Sequence, residues 1–103
     1  MDAQLKRGMT EACILSVLDS GDSYGYQLIK DLSGVMELSE STLYPVLRRL
    51  ESAQALTTYA KEHNGRLRKY YAITEAGREM IDDFLSEWAD VTKVYDFIRR
   101  TRE

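Results

Sequence analysis

The chain has 103 residues, 44% of them hydrophobic and 30% charged, with a formal net charge of −3. That length suits a single domain with one core, and the composition excludes a disordered or low-complexity chain. No apolar run approaches the roughly 18 residues needed to span a bilayer, and the N-terminus MDAQLKRGMTE lacks an apolar signal segment, so a cytoplasmic protein is expected.

Apolar positions at Met9, Ala12, Cys13, Val17 and Leu18 give residues 3 to 20 a helical spacing. Gly21-Asp22-Ser23 ends that helix and offers an N-cap for a second, running from Tyr24 to about Leu32 before Ser33-Gly34 breaks it. A third helix fits Ser39 to about Ala53, with Ser39 as its cap, Glu40 favouring its N-terminus, and Leu43, Val46, Leu47 and Leu50 on one face. Pro45 is compatible with either a start near Thr42 or a slight bend; an early start with a tolerated proline is favoured. The period then changes. Leu56-Thr57-Thr58-Tyr59-Ala60 and Lys69-Tyr70-Tyr71-Ala72-Ile73 are β-branched and aromatic, and they flank an Asn64-Gly65 turn that predicts a hairpin with a loop longer than two residues. Thr74 can cap a last long helix from Glu75 to about Arg100.

This order predicts a mainly α chain with a small β-hairpin, a winged helix-turn-helix over residues 1–74 whose wing covers about 56–74. A long C-terminal dimerisation helix follows over 75–103. Cys13, the one cysteine, reads as a small buried hydrophobe and can form neither an internal disulfide nor a cysteine-based zinc site. His63, the one histidine, sits in the polar turn with no nucleophile motif beside it. No enzyme activity, metal or cofactor is expected.

The charges are unevenly spread. Residues 48 to 69 hold six Lys or Arg against two acidic residues, a local +4, so the other 81 positions carry −7. A polyanion would meet that local patch and not the average. In a winged helix-turn-helix the third helix enters the major groove with its N-terminal residues at base edges. Ser39, Glu40, Ser41 and Thr42 stand there, Tyr44 and Arg48 suit phosphates further along, and Arg66, Arg68 and Lys69 sit on the wing. The competing reading of the basic hairpin is a solvated edge that discourages strand pairing.

Met80, Phe84, Trp88, Val91, Tyr95 and Ile98 form a coiled-coil-like seam on the last helix, widened by Ile81, Leu85 and Val94. So wide a stripe predicts a partner helix and a twofold dimer, which would read a pseudo-palindromic double-stranded operator. Residues 75 to 96 carry seven acidic and two basic groups, suiting a face turned away from DNA.

The segments LKRGMTEACILSVLDSGDSYGYQLIKDL, LSESTLYPVLRRLE and GRLRKYYAITEAGRE together resemble PadR-like transcriptional regulators, from about Leu5 to Ile98. Three positions depart from the family pattern: Ser41 stands where glycine or alanine is usual, Gln54 where a glycine ends the third helix, and Leu67 where the wing has proline. The resemblance implies a homodimeric repressor of the small subgroup with one C-terminal helix, in which Tyr24 and Tyr44 contact phosphates. Trp88 resembles a tryptophan that sandwiches flat aromatic ligands in multidrug-sensing members. On that analogy Gly8, Glu11, Ala12, Trp88 and Thr92 line a pore whose ligand releases the repressor. The bland counterpart is that Trp88 fills the dimer core. The rival overall is a winged-helix protein-interaction module that does not bind DNA.

Overall fold

A computed structural model describes residues 3–103; Met1 and Asp2, which open the expected 1–74 domain, lie outside the described residues. The elements are α1 (Ala3–Ser20), α2 (Gly25–Leu32), α3 (Glu40–Ser52), β1 (Leu56–His63), β2 (Arg66–Ile73) and α4 (Glu75–Arg102). Helix, helix, helix, hairpin, long helix is the winged helix-turn-helix with a C-terminal extension that the sequence predicts.

Ile14, Leu15 and Leu18 of α1, Leu28 and Leu32 of α2, Leu43, Val46, Leu47 and Leu50 of α3, then Leu56 and Tyr71 of the hairpin, build one core. Each helix contributes at three- and four-residue intervals, which is why three short helices can converge on a common centre. The core takes Met80 and Ile81 from the start of α4, and there its hold on that helix ends. Among the described residues of α4 only Gly77 is buried, and the helix's 28 residues reach about 42 Å.

Local chemistry sets each boundary. The Ser39 hydroxyl accepts from the Thr42 N–H (3.3 Å) and caps α3. Pro45 is the sixth helical residue, so the helix starts early; the carbonyl it leaves without a donor, that of Ser41, belongs to an exposed turn where water can serve. At the other end Ala55 N–H bonds to the Leu50 carbonyl and Gln54 N–H to that of Glu51, each at 2.9 Å, the paired bonds of a Schellman motif. Gln54 therefore takes a left-handed φ of 61° at a position that suits glycine.

Two sequence expectations are corrected here. Ser23 does not cap α2. Its backbone instead pairs with Tyr71 in both directions (3.1 and 2.8 Å), a single bridge that ties the loop to the hairpin, and Tyr24 occupies the cap position without a side-chain bond. The Ser23 hydroxyl is left buried with no hydrogen-bond partner among the described residues. The hairpin loop is also shorter than expected: pairing continues to His63 and Arg66, and Asn64 (φ 53°) and Gly65 (φ 79°) alone make the turn. Two consecutive positive φ values are the signature of a type I′ turn, whose twist matches that of its strands.

Thr74 closes the domain against α4. Its hydroxyl accepts from the Gly77 N–H (3.1 Å) and donates to the Gln54 carbonyl (2.7 Å). A Cβ at Gly77 would collide with the Ala55 carbonyl and the Ile73 side chain, so the helix approaches this closely only with glycine there. Arg78 of α4 pairs with Asp19 of α1 at 3.0 Å, a half-exposed bridge that orients more than it stabilises.

Candidate nucleic-acid interface

Three tyrosines join the hairpin to the start of α2. Tyr59 and Tyr70 are cross-strand partners, and their rings stack with centroids 5.5 Å apart and planes 10° from parallel. Tyr70 meets Tyr24 edge to face at 5.6 Å. The Arg68 guanidinium lies 3.9 Å from the centre of the Tyr24 ring, within cation–π range. Tyr59 donates to the Asp22 carboxylate at 2.7 Å, and that bond holds its phenol above the ordinary tyrosine value. The wing is thus tied by side chains as well as by the Ser23–Tyr71 bridge. Its bases are displayed on a fixed hairpin.

Between wing and helices lies a pocket of about 420 Å³, lined by Tyr24, Gly25, Tyr26, Tyr44, Arg68, Lys69 and Tyr71. A Cβ at Gly25 would strike the Tyr44 phenol, so the glycine makes room for that ring. Burial pushes the Tyr71 phenol up, and it remains a neutral donor well above neutrality. Arg68 and Lys69 form no ion pair among the described residues. Hydroxyl donors beside two uncompensated cations are the chemistry that a phosphate oxygen needs. The structure therefore brings Tyr24, Tyr44 and the adjacent pair Arg68 and Lys69 together from three places in the chain. Tyr26, which core packing would equally have suited, is 64% exposed at the pocket rim.

At the start of α3, Ser39 lies 2.9 Å from the Ser41 hydroxyl and 3.1 Å from that of Thr42, an exposed cluster beside Glu40. Arg48 is exposed two turns along, and Arg66 is exposed at the first position of β2. Leu67, in place of the family's proline, is 78% exposed and disturbs nothing in the hairpin register.

The residues suggested for a ligand are divided. Gly8, Glu11 and Ala12 of α1 line a cavity of about 250 Å³ with Asp83, Phe84 and Glu87 of α4. Trp88 and Thr92 are not in its lining; Trp88 sits beyond Phe84, with ring centroids 5.9 Å apart. The seam of α4 divides as well. Met80 packs on its own core, Phe84 and Trp88 are half-buried, and Val91, Tyr95 and Ile98 are exposed. Cys13 is half-buried beside the core, where desolvation raises its thiol, and this agrees with the hydrophobe reading.

Residues 14–83 match the family model described as the transcriptional regulator PadR-like family. The chain belongs to that family. Solved transcriptional regulators share this architecture over most of the chain. A transcriptional regulator of Clostridium thermocellum superposes with a TM-score of 0.82 at 33% identity, covering 91% of this chain and 96% of that one. A PadR-like transcription factor of Bacteroides fragilis gives 0.82 at 30% identity, covering 93% and 95%. An uncharacterised protein of Lysinibacillus sphaericus is 33% identical over 95 residues, 87% of either chain. The protein is therefore a PadR-family transcriptional regulator and, as the family's members are regulators, not an enzyme. No helix among the described residues is long and apolar enough to cross a membrane.

Sequence reasoning missed the Asp22–Tyr59 bond and the Tyr59–Tyr70–Tyr24 ring series. The aromatic richness of both strands was the available signal, but the cross-strand register that stacks Tyr59 on Tyr70 depends on the loop being two residues long.

Proposed function

We propose that the protein is a homodimeric repressor that binds a pseudo-palindromic duplex through α3 and the wing. The observation that carries this reading is the pocket joining Tyr24, Tyr44, Arg68 and Lys69 at the flank of an exposed, hydroxyl-rich helix start. Ser39, Glu40, Ser41 and Thr42 meet base edges in the major groove, while Arg48 and Arg66 extend the phosphate contacts. Dimerisation through α4 spaces two such helices about one helical turn of DNA apart. It is favoured by the exposed stripe Val91, Val94, Tyr95 and Ile98, which its own chain leaves uncovered. The regulator acts in the cytoplasm.

The cavity between α1 and α4 is the seat for an effector. Glu11, Asp83 and Glu87 give it three carboxylates beside Phe84, a setting for a flat aromatic compound that carries positive charge. In the dimer Trp88 and Thr92 complete the seat, and occupancy shifts the spacing of the two DNA-reading helices and releases the operator.

Fluorescence anisotropy with the duplex upstream of the protein's own gene, against a shuffled duplex over a range of salt, tests the reading. Salt-sensitive binding that prefers the native duplex is expected. Failure to bind any duplex at low salt, with the dimer intact, would instead support a winged-helix protein-interaction module.

A further inference from the structure

The tyrosine pocket lies on one flank of α3, where Tyr44 faces the wing. Arg49 follows five residues later, about 140° around the helix, and so belongs to the opposite flank. On that side a second cleft, of about 330 Å³, separates α3 from the first turns of α1. Lys6 and Arg7 line it from α1, and Ser41, Thr42 and Arg49 line it from α3. All five are exposed, and none of the three cations forms an ion pair among the described residues. The hydroxyls are those of the helix start proposed to meet base edges, so the cleft opens beside that same turn.

A helix seated in a major groove about 12 Å wide lies between two phosphodiester strands. A single phosphate seat would hold one of them. We infer that Lys6, Arg7 and Arg49 form a second phosphate seat, gripping the DNA strand opposite the one held at Tyr44. The inference rests on the DNA-binding reading above and extends its footprint to α1. Three solvated surface cations are the plain alternative. Against it stands their convergence, from two helices, on a cleft that shares Ser41 and Thr42 with the reading turn.

The test uses a mixed-sequence duplex, because phosphate contacts carry no sequence information. Affinity is measured between about 50 and 200 mM salt for the parent, for the double variant Lys6→Ala/Arg7→Ala, and for Arg68→Ala/Lys69→Ala. The substituted α1 residues are exposed, so an unchanged melting curve is expected. If both contact phosphates, the α1 variant loses about 1.8 from the slope of log affinity against log salt, with roughly a tenfold loss at the low-salt end. Arg49→Ala alone loses about 0.9. A parental slope in both α1 and Arg49 variants overturns the second seat, as does weaker binding with the slope retained. If the wing variant still loses slope in that case, the first reading survives. If the parent binds no duplex, or neither clamp changes the slope, both readings fall together.

Discussion

Tyr24, Tyr59, Tyr70 and Tyr71 are held by neighbours within their own chain, whereas Val94, Tyr95, Phe97 and Ile98 at the far end of α4 remain 55 to 62% exposed. Both regions are rich in aromatic and β-branched residues, but their surroundings differ. The Tyr59 hydroxyl donates to the Asp22 carboxylate, and hairpin, helix start and core hold the tyrosine rings. The α4 residues are mostly apolar, and a single helix extending beyond its domain has no second surface to cover them. The first region is held together by contacts within this chain. The second is a surface that this chain leaves uncovered and that the proposed dimer would bury.

The largest effect should come from breaking the second region. Val94→Asp combined with Ile98→Asp places charge on the apolar stripe, so the dimer should dissociate to its 11.9 kDa protomer in sedimentation. With the linkage of two half-site readers gone, operator affinity should fall by about a hundredfold or more, while the isolated fold survives. A dimer that persists would show that the partner sits elsewhere.

The first region breaks at Gly25. Gly25→Ala should push the Tyr44 phenol from its place, leave the melting temperature nearly unchanged, and weaken DNA binding roughly tenfold through one lost charged hydrogen bond. Unaltered affinity would remove Tyr44 from the clamp.

A smaller change sharpens the junction between the wing and α3. Gln54→Gly relieves the left-handed backbone at the Schellman motif and should stabilise the protein by about 1 kcal/mol, read as a higher urea midpoint with the same slope. DNA affinity should not move, because the Gln54 carbonyl still receives the Thr74 hydroxyl.

The smallest effect appears in alkali. Burial raises the folded phenol of Tyr71 above its unfolded value near 10, so the stability linked to its proton is fully present below about pH 10 and is lost as pH rises through the folded value. Tyr71→Phe removes that titration. Its urea midpoint should fall less than the parent's between about pH 8 and pH 11. An equal fall would mean that the phenol is not desolvated.

Much of the architecture was legible because its signals are local. Ser39 and Thr74 cap their helices as their sequence neighbours suggest, and the α3 apolar spacing gives its buried face directly. The Asn64-Gly65 pair marks the turn, though not its length: the outer pairs from Ala60–Lys69 to His63–Arg66 are polar or exposed and show no burial alternation. Ser23 misled because a serine before a helix looks like a cap, and only the nearness of β2 could recruit its backbone into a strand pair. Four of the proposed phosphate-contact residues fell into one pocket, but Trp88 and Thr92 did not join the α1 cavity, since they lie past the point where α4 leaves its own domain.

By itself the sequence determined what each segment must become: capped helices, a basic hairpin, and a last helix with more apolar surface than one domain can use. Those outcomes follow from periodicity, propensity and charge, which act over a few residues. The tertiary structure alone decided which distant groups share a space. It set Arg68 over Tyr24, Tyr44 over Gly25, and Lys6 and Arg7 across a cleft from Arg49. Such placements depend on how helices pack and how strands register, and no local signal encodes them.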